Sequence, residues 1–248
     1  TLCLAKKYDA EVFVKINTGM NRLGFSTIGE TASTVKNLRV LGVFTHLSSA
    51  DGDDATDRRI TETQIKNFME AELVVKNEKD VPFYAENSAA LIKYGRFFDG
   101  ARIGIALYGV NPVSGDKTPL LPVMTFRAAV IAINTVKKGD FIGYSRGYRA
   151  KKDMRVAIIS TGYADGLPRA LSNKGMIFCN GQFLKIVGKV SMDSVAVDAG
   201  DADVKIMDEV VVFGDEITVT DVANRADTLP YEILTGVSER VKRVYKNP

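Results

Sequence analysis

Over residues 1 to about 112, apolar positions fall alternately in short continuous runs and at helical spacing. Val12-Phe-Val-Lys-Ile16 reads as a strand, and Asn17-Thr-Gly-Met-Asn-Arg-Leu-Gly24 after it as a glycine-punctuated loop. Ser26 or Thr27 with Glu30 has the form of a capping pair that opens a helix to about Leu38. Val40-Leu-Gly-Val-Phe-Thr-His-Leu47 predicts the next strand, followed by an acidic loop, Asp51-Gly-Asp-Asp54. From about Thr56 to Asn77, Ile65, Phe68, Met69 and Leu73 recur at helical spacing and predict one apolar face. Val81 to Glu86 is a short strand, Asn87-Ser88 caps a brief helix through Leu91, and Ala101 to Leu107 predicts a last strand that stops at Gly109 and Pro112. This β–α alternation predicts parallel strands joined by helical crossovers. Four such strands do not close a parallel barrel, which takes about eight; half a barrel is missing, or the strands belong to something smaller.

From about residue 113 the pattern changes. Pro122 to Asn134, Arg155 to Ser160, Gly175 to Cys179, Leu184 to Val187, Ser194 to Val197 and Glu209 to Phe213 are rich in alternation and β-branched residues. Turns such as Lys138-Gly-Asp140, Asn180-Gly181 and Gly200-Asp201 separate them, so this part predicts a β domain of the sandwich or barrel kind. Thr220 starts a short helix through Ala226, and Pro230 stands where another would begin, ahead of Tyr231 and Glu232.

Composition narrows the function classes. Of 248 residues, 46% are hydrophobic and 25% charged, and the formal charge is only +3 with both signs interspersed. That leaves no nucleic-acid or membrane footprint. Cys3 and Cys179 fit no metal or redox spacing, which suits a reducing compartment, and no apolar run approaches a membrane span; a cytoplasmic location is expected. The chain opens Thr1-Leu-Cys without a methionine or signal peptide, which fits a trimmed or partial product.

Chemistry gathers at the predicted strand ends, where β/α barrels carry their sites. These ends bring Lys15 with Arg22, then the only histidine, His46, then Asn87 with Ser88, then Arg102 with Gly104. Arg102 inside an apolar stretch is either an edge-strand cation or a charge awaiting a partner, and Gly104 is either a bulge or a backbone amide open to an anion. Ser88 is a plain N-cap or a phosphate acceptor site, and His46 a rim histidine or a proton carrier. In the second part, Gly143-Tyr144-Ser-Arg-Gly-Tyr148 and Gly162-Tyr-Ala-Asp-Gly166 put tyrosines in turns, and a catalytic phenol there requires cations that lower its pKa from about 10.

Taken together, these residues resemble the bacterial alanine racemases, pyridoxal-phosphate enzymes of fold type III. The resemblance rests on Lys15-Ile-Asn-Thr-Gly-Met-Asn-Arg-Leu-Gly24, Phe44-Thr-His-Leu-Ser-Ser-Ala-Asp51, Asn87-Ser-Ala-Ala90, Ala101-Arg-Ile-Gly-Ile-Ala-Leu-Tyr-Gly109, Gly143-Tyr144, Gly162-Tyr-Ala-Asp-Gly166, Val187-Gly-Lys-Val-Ser-Met-Asp193 and Tyr231-Glu232, in family order. It implies the second half of a (β/α)8 TIM-type barrel over residues 1–112, binding the cofactor, and a C-terminal β domain over 113–248. It also implies a homodimer with shared active sites, interconverting L- and D-alanine for peptidoglycan precursors.

Roles follow from the resemblance residue by residue. Arg102 would face the pyridine nitrogen of pyridoxal phosphate; the amides of Gly104 and Ile105, with Ser88 and Tyr231, would hold the phosphate, with Asn87 nearby. Arg22 would contact the cofactor's phenolic oxygen and the substrate carboxylate, oriented by Lys15, a position carbamylated in some members. Tyr144 would be one of two catalytic bases, its pKa depressed by His46 and the arginine beside it. Met192 would offer a backbone amide to the substrate carboxylate, and Tyr163 and Asp193 would act beside it, Tyr163 narrowing the entrance. Tyr144, Tyr163, Met192 and Asp193 would serve the neighbouring subunit.

The departures are as informative. The family's Schiff-base lysine, followed by alanine and a Tyr-Gly-His-Gly run, does not occur in this sequence, nor do the first four strands of the barrel, so roughly a third of a family chain is expected to be absent at the amino end. Without a lysine for covalent attachment and as second base, this chain alone is expected to be inactive. Asn17 stands where aspartate is usual and Lys189 where arginine often lines the entrance. Two further readings are a non-catalytic dimerisation module derived from a racemase and a serine-racemising relative, the latter less suited to Tyr231. A fold type III decarboxylase would need a glycine-rich phosphate loop and a reactive-cysteine motif that this sequence lacks.

Overall fold

The computed structural model of the protein describes residues 2–246. Their contacts divide the chain into two units, 1–121 and 122–248.

In the first unit a short helix, α1 (Leu2–Lys7), precedes strand β1 (Glu11–Lys15). Helix α2 (Ile28–Asn37) leads to β2 (Arg39–Phe44), α3 (Ala55–Glu78) to β3 (Phe83–Tyr84), and α4 (Ser88–Tyr94) follows. The strands pair in parallel in the order β1-β2-β3. Caps open the helices as the sequence predicts: Thr27 Oγ1 accepts from Glu30 N and donates to Glu30 Oε2 at 2.9 Å, and Asn87 Oδ1 accepts from Ala90 N at 2.9 Å. Asp54 does the same for α3, accepting from Asp57 N at 2.8 Å.

Two sequence expectations are corrected here. Residues 101–107 do not form a strand. Asp99 N donates to Phe83 O and Arg102 N to Glu86 O, so this segment runs beside β3 as a fourth parallel position; Gly104, at φ −116 and ψ −93, then breaks it into a 3-10 turn over Ile105–Tyr108. The apolar face of α3 is also different: Thr61, Gln64, Phe68, Ala71 and Val75 are buried, whereas Met69 is 41% and Leu73 72% exposed. The aromatic stack explains the rotation, because Phe68 lies 5.1 Å from Phe83 and 4.9 Å from Phe98 at the centre of the core. Among the described residues the outer edge of β1 carries no strand, and an apolar cavity of about 340 Å³ lined by Val12, Phe13, Val14, Phe25 and Leu38 runs along it.

The second unit is built of antiparallel strands: β4 (Phe126–Val136), β5 (Phe141–Ile142), β6 (Tyr148–Arg149), β7 (Met154–Ile159), β8 (Met176–Cys179), β9 (Gln182–Lys185), β10 (Val195–Asp198) and β11 (Glu209–Phe213). Six of them form one sheet in the order β10-β7-β4-β11-β8-β9, and β5 pairs with β6 as a separate ribbon that the sequence pattern does not reveal. A bridge between Ile186 and Val197, with Val187 N bonded to Ala196 O, joins the two outer strands, so the sheet closes on itself as a barrel. Helices α5 (Val219–Ala226) and α6 (Pro230–Gly236) follow, the first with a full capping box of Thr218 and Asp221, the second with Pro230 at its first turn. Cys179 is a buried free thiol; the side chain of Cys3 lies outside the described residues.

Candidate active site

The carboxyl ends of the parallel strands converge on a group of basic residues. Lys15 ends β1, His46 lies just past β2, and Arg102 comes from the segment beside β3. Arg22 stands in the loop after β1, which is closed at its base by Asn17 N bonding Phe25 O and Phe25 N bonding Lys15 O. Gly24 is required there: at φ +122, a Cβ would sit 2.7 Å from Asn17 N. Asn17 accepts from the amides of Gly19 and Asn21 through Oδ1 and so turns the chain toward Arg22.

Arg102 is the hub. Its Nη2 donates to His46 Nδ1 at 2.8 Å and to Thr45 O at 2.7 Å, and its guanidinium lies 4.6 Å from the ring centroid of Phe44. Its Nε is buried and has no hydrogen-bond partner among the described residues. A guanidinium only donates, so His46 Nδ1 must accept, which fixes the imidazole proton on Nε2. Burial, then the charges of Arg102, Arg22 and Lys15, lowers the pKa of His46 from its ordinary 6.5. Burial, then Arg22 and Arg102, lowers Lys15 from 10.5. None of Lys15, Arg22 and Arg102 has an ion pair among the described residues. A concentration of positive charge with no carboxylate to balance it is a site for an anion.

Beside it, Ser88 Oγ accepts from Gly104 N at 3.0 Å and Ala106 N at 3.3 Å, which fastens the first residue of α4 to the turn that begins at Ile105. A Cβ added to Gly104 would meet nothing within 4 Å, so its backbone borders open space. Asn87 is engaged at both ends, capping α4 and donating to Leu47 O at 3.1 Å.

Four residues that the sequence does not announce hold these strand ends in place. Gln64 is 1% exposed; its Nε2 donates to Thr18 Oγ1 and His46 O, and its Oε1 accepts from both Ser48 N and Ser48 Oγ. Thr18 and Thr45 share a 2.7 Å hydroxyl contact, and Thr45 Oγ1 bonds Ile16 O. Glu86, fully buried, accepts the amides of Phe97 and Phe98 through Oε1 and Arg102 N through its carbonyl, so it anchors the approach to Arg102.

The remaining predicted residues lie in the second unit. Tyr144 starts a 3-10 turn between β5 and β6 and is 71% exposed, followed by Ser145 and Arg146 at φ 55 and 56. Tyr163 follows β7 and Met192 and Asp193 precede β10; Tyr163 N bonds Ser191 O, and Ala164 N bonds Met192 O, which brings these two loops together. Tyr231 is in the first turn of α6.

Comparison with known proteins decides the family. Residues 2–112 match the family model described as alanine racemase, N-terminal domain, and residues 123–245 match alanine racemase, C-terminal domain. The chain belongs to the alanine racemase family. It is 36% identical to the alanine racemase of Halothermothrix orenii, with 98% of this chain and 68% of that one covered, and 37% identical to that of Desulforamulus reducens, with 95% and 67% covered. Among solved structures, alanine racemase from Streptomyces coelicolor superposes with a TM-score of 0.91 at 28% identity, over 100% of this chain and 70% of that one. Alanine racemase from Bartonella henselae, solved with covalently bound pyridoxal phosphate, superposes with a TM-score of 0.87 at 30% identity, over 99% and 69%. The chain thus spans about two thirds of these racemases. The expectation of a partial TIM-type barrel followed by a C-terminal β domain is met.

Proposed function

We propose that this chain carries the greater part of the active site of a pyridoxal-phosphate-dependent alanine racemase of the cytoplasm, acting as a homodimer with shared sites. The observation that carries the reading is Arg102: a half-buried arginine, held by His46 and Thr45, whose Nε has no partner among the described residues and which sits in a cluster of cations with no ion pair among them. The donor set fits pyridoxal phosphate. Arg102 Nε would meet the pyridine nitrogen; Ser88, the amides of Gly104 and Ile105, and Tyr231 would take the phosphate; Arg22 would take the phenolic oxygen and the substrate carboxylate, steadied by Lys15. When bound, the group supplies the electron withdrawal that loosens the Cα–H bond of an amino acid.

The protein's own residues set what that chemistry becomes. A guanidinium keeps its protons, so Arg102 leaves the pyridine nitrogen unprotonated and restrains full carbanion chemistry, which favours racemisation over transamination. His46, neutral and protonated on Nε2, holds Arg102 by accepting rather than competing as a cation. Tyr144 of a neighbouring subunit exchanges the Cα proton on one face. Met192 presents its amide to the substrate carboxylate, with Asp193 beside it, and Tyr163 narrows the approach. The opposite face needs a lysine that these 248 residues do not supply in the family's motif, so this chain alone binds the cofactor without turnover.

Equilibrium titration with pyridoxal phosphate tests the reading. Saturable binding that weakens at least tenfold in both Arg102→Gln and Ser88→Ala is the expected result, and equal affinity in the two variants and the parent overturns it.

A further inference from the structure

Asp165, six residues past the end of β7, makes three connections. Its Oδ2 accepts from Gly162 N at 2.9 Å, its Oδ1 lies 3.6 Å from Arg240 Nε, and its carbonyl accepts from Ser238 N at 3.1 Å. Its side chain is only 14% exposed, so these partners replace most of its water.

On one side of Asp165 lies the pair of loops bearing Tyr163 and Met192. They are zipped by Tyr163 N to Ser191 O at 3.0 Å and Ala164 N to Met192 O at 2.9 Å. Their contact leaves no space for a side chain at Gly162, where a Cβ would stand 2.4 Å from the carbonyl carbon and oxygen of Met192. On the other side lies the end of α6, the helix bearing Tyr231. Gly166, at φ +115, presses on it so closely that a Cβ would be 2.7 Å from Gly236 O and Val237 Cα. Arg243 closes the segment beyond, donating to the carbonyls of Val237, Ser238 and Val241.

We infer that Asp165, through Gly162 and Arg240, is a positioning residue that locks the substrate-entrance loops of Tyr163 and Met192 to the helix of Tyr231, so that the two move as one body. The inference rests on the racemase reading only for what those residues do. The lock itself is a property of the second unit. In that reading Tyr231 serves the phosphate of its own subunit while Tyr163 and Met192 serve the partner's site, and Asp165 becomes the mechanical link between the two sites of a dimer.

The test uses the full chain labelled with 3-fluorotyrosine and with methyl-labelled methionine, the signals of Tyr163, Tyr231, Tyr144 and Met192 being assigned from single substitutions. Asp165→Ala is expected to shift or broaden the Tyr163, Met192 and Tyr231 signals together while Tyr144 and Tyr148 stay in place. Asp165→Asn retains an acceptor for Gly162 N but not the charge facing Arg240; it is expected to restore Tyr163 and Met192 and leave Tyr231 displaced. Arg240→Ala, a change at a half-exposed residue that keeps the fold, is expected to displace Tyr231. Unmoved Tyr231 signals in both Arg240→Ala and Asp165→Asn overturn the inference, as does a Tyr163 shift in Asp165→Ala unaccompanied by Tyr231. Because no cofactor is used, failure of the racemase reading would leave this result standing, and failure of the lock would leave the cofactor titration untouched.

Discussion

Arg102 Nη2 donates to His46 Nδ1 at 2.8 Å, and the single histidine of the chain is thereby a neutral base acceptor wedged among cations. The consequence is measurable without assignment, since only one imidazole titrates. Burial and the neighbouring cations hold its pKa below the ordinary 6.5; a nuclear magnetic resonance titration is expected to show this, and Arg102→Gln is expected to move the value back by removing a neighbouring charge.

The same shift fixes a pH dependence. His46 has a lower pKa folded than unfolded, so as pH falls through the ordinary imidazole value of 6.5 the unfolded chain binds the proton first. Stability of the first unit therefore drops as pH falls below that value and is unaffected by His46 above it. Denaturant unfolding at stepped pH checks this; in Arg102→Gln the acid-side loss is smaller.

Lys15 has lost part of its grip on its proton to burial, Arg22 and Arg102. An amine with more free base reacts more readily with carbon dioxide, and a carbamate there would replace a cation by an anion among unbalanced positive charges. A carbon-13 carbonyl signal is expected on incubation with labelled bicarbonate and is expected to vanish in Lys15→Ala. Its persistence in that variant would assign the modification elsewhere.

Gln64 satisfies Thr18, His46 and Ser48 from inside the core. Gln64→Leu removes the partner of the His46 carbonyl and leaves Thr18 with Thr45 alone, at a cost of about 1–3 kcal/mol. The midpoint of urea unfolding should fall accordingly, and pyridoxal phosphate binding should weaken because His46 loses its backbone anchor. A variant as stable as the parent would refute the network's role.

Much of this architecture can be read from the amino acids because the signals are local. Thr27 with Glu30, Asn87 ahead of Ala90 and Pro230 at a helix start each act within one turn. The segment from Ala101 misleads because its composition is that of a strand, whereas Gly104 adopts a backbone that ends pairing and starts a 3-10 turn. Met69 and Leu73 mislead because α3 turns its Gln64 and Phe68 inward, the first to bond the strand ends and the second to stack on Phe83 and Phe98. Thr18, Thr45 and Gln64 look like surface residues in sequence; only tertiary contacts show a buried polar network. Arg102, His46, Lys15 and Arg22 could be named from the motif they resemble, but the Arg102–His46 hydrogen bond, and an Arg102 Nε with no partner among the described residues, belong to the folded chain.

The proposal is that these residues hold pyridoxal phosphate in a racemase site whose lysine motif is not among these 248 residues. The most direct test records the visible spectrum of the chain with pyridoxal phosphate before and after borohydride, beside a D-alanine assay. The account predicts reversible binding, no borohydride-fixed adduct at a single lysine and no D-alanine until a lysine-bearing amino-terminal segment is supplied. An adduct on one lysine of this chain, with D-alanine formation abolished by Tyr144→Phe, would contradict it.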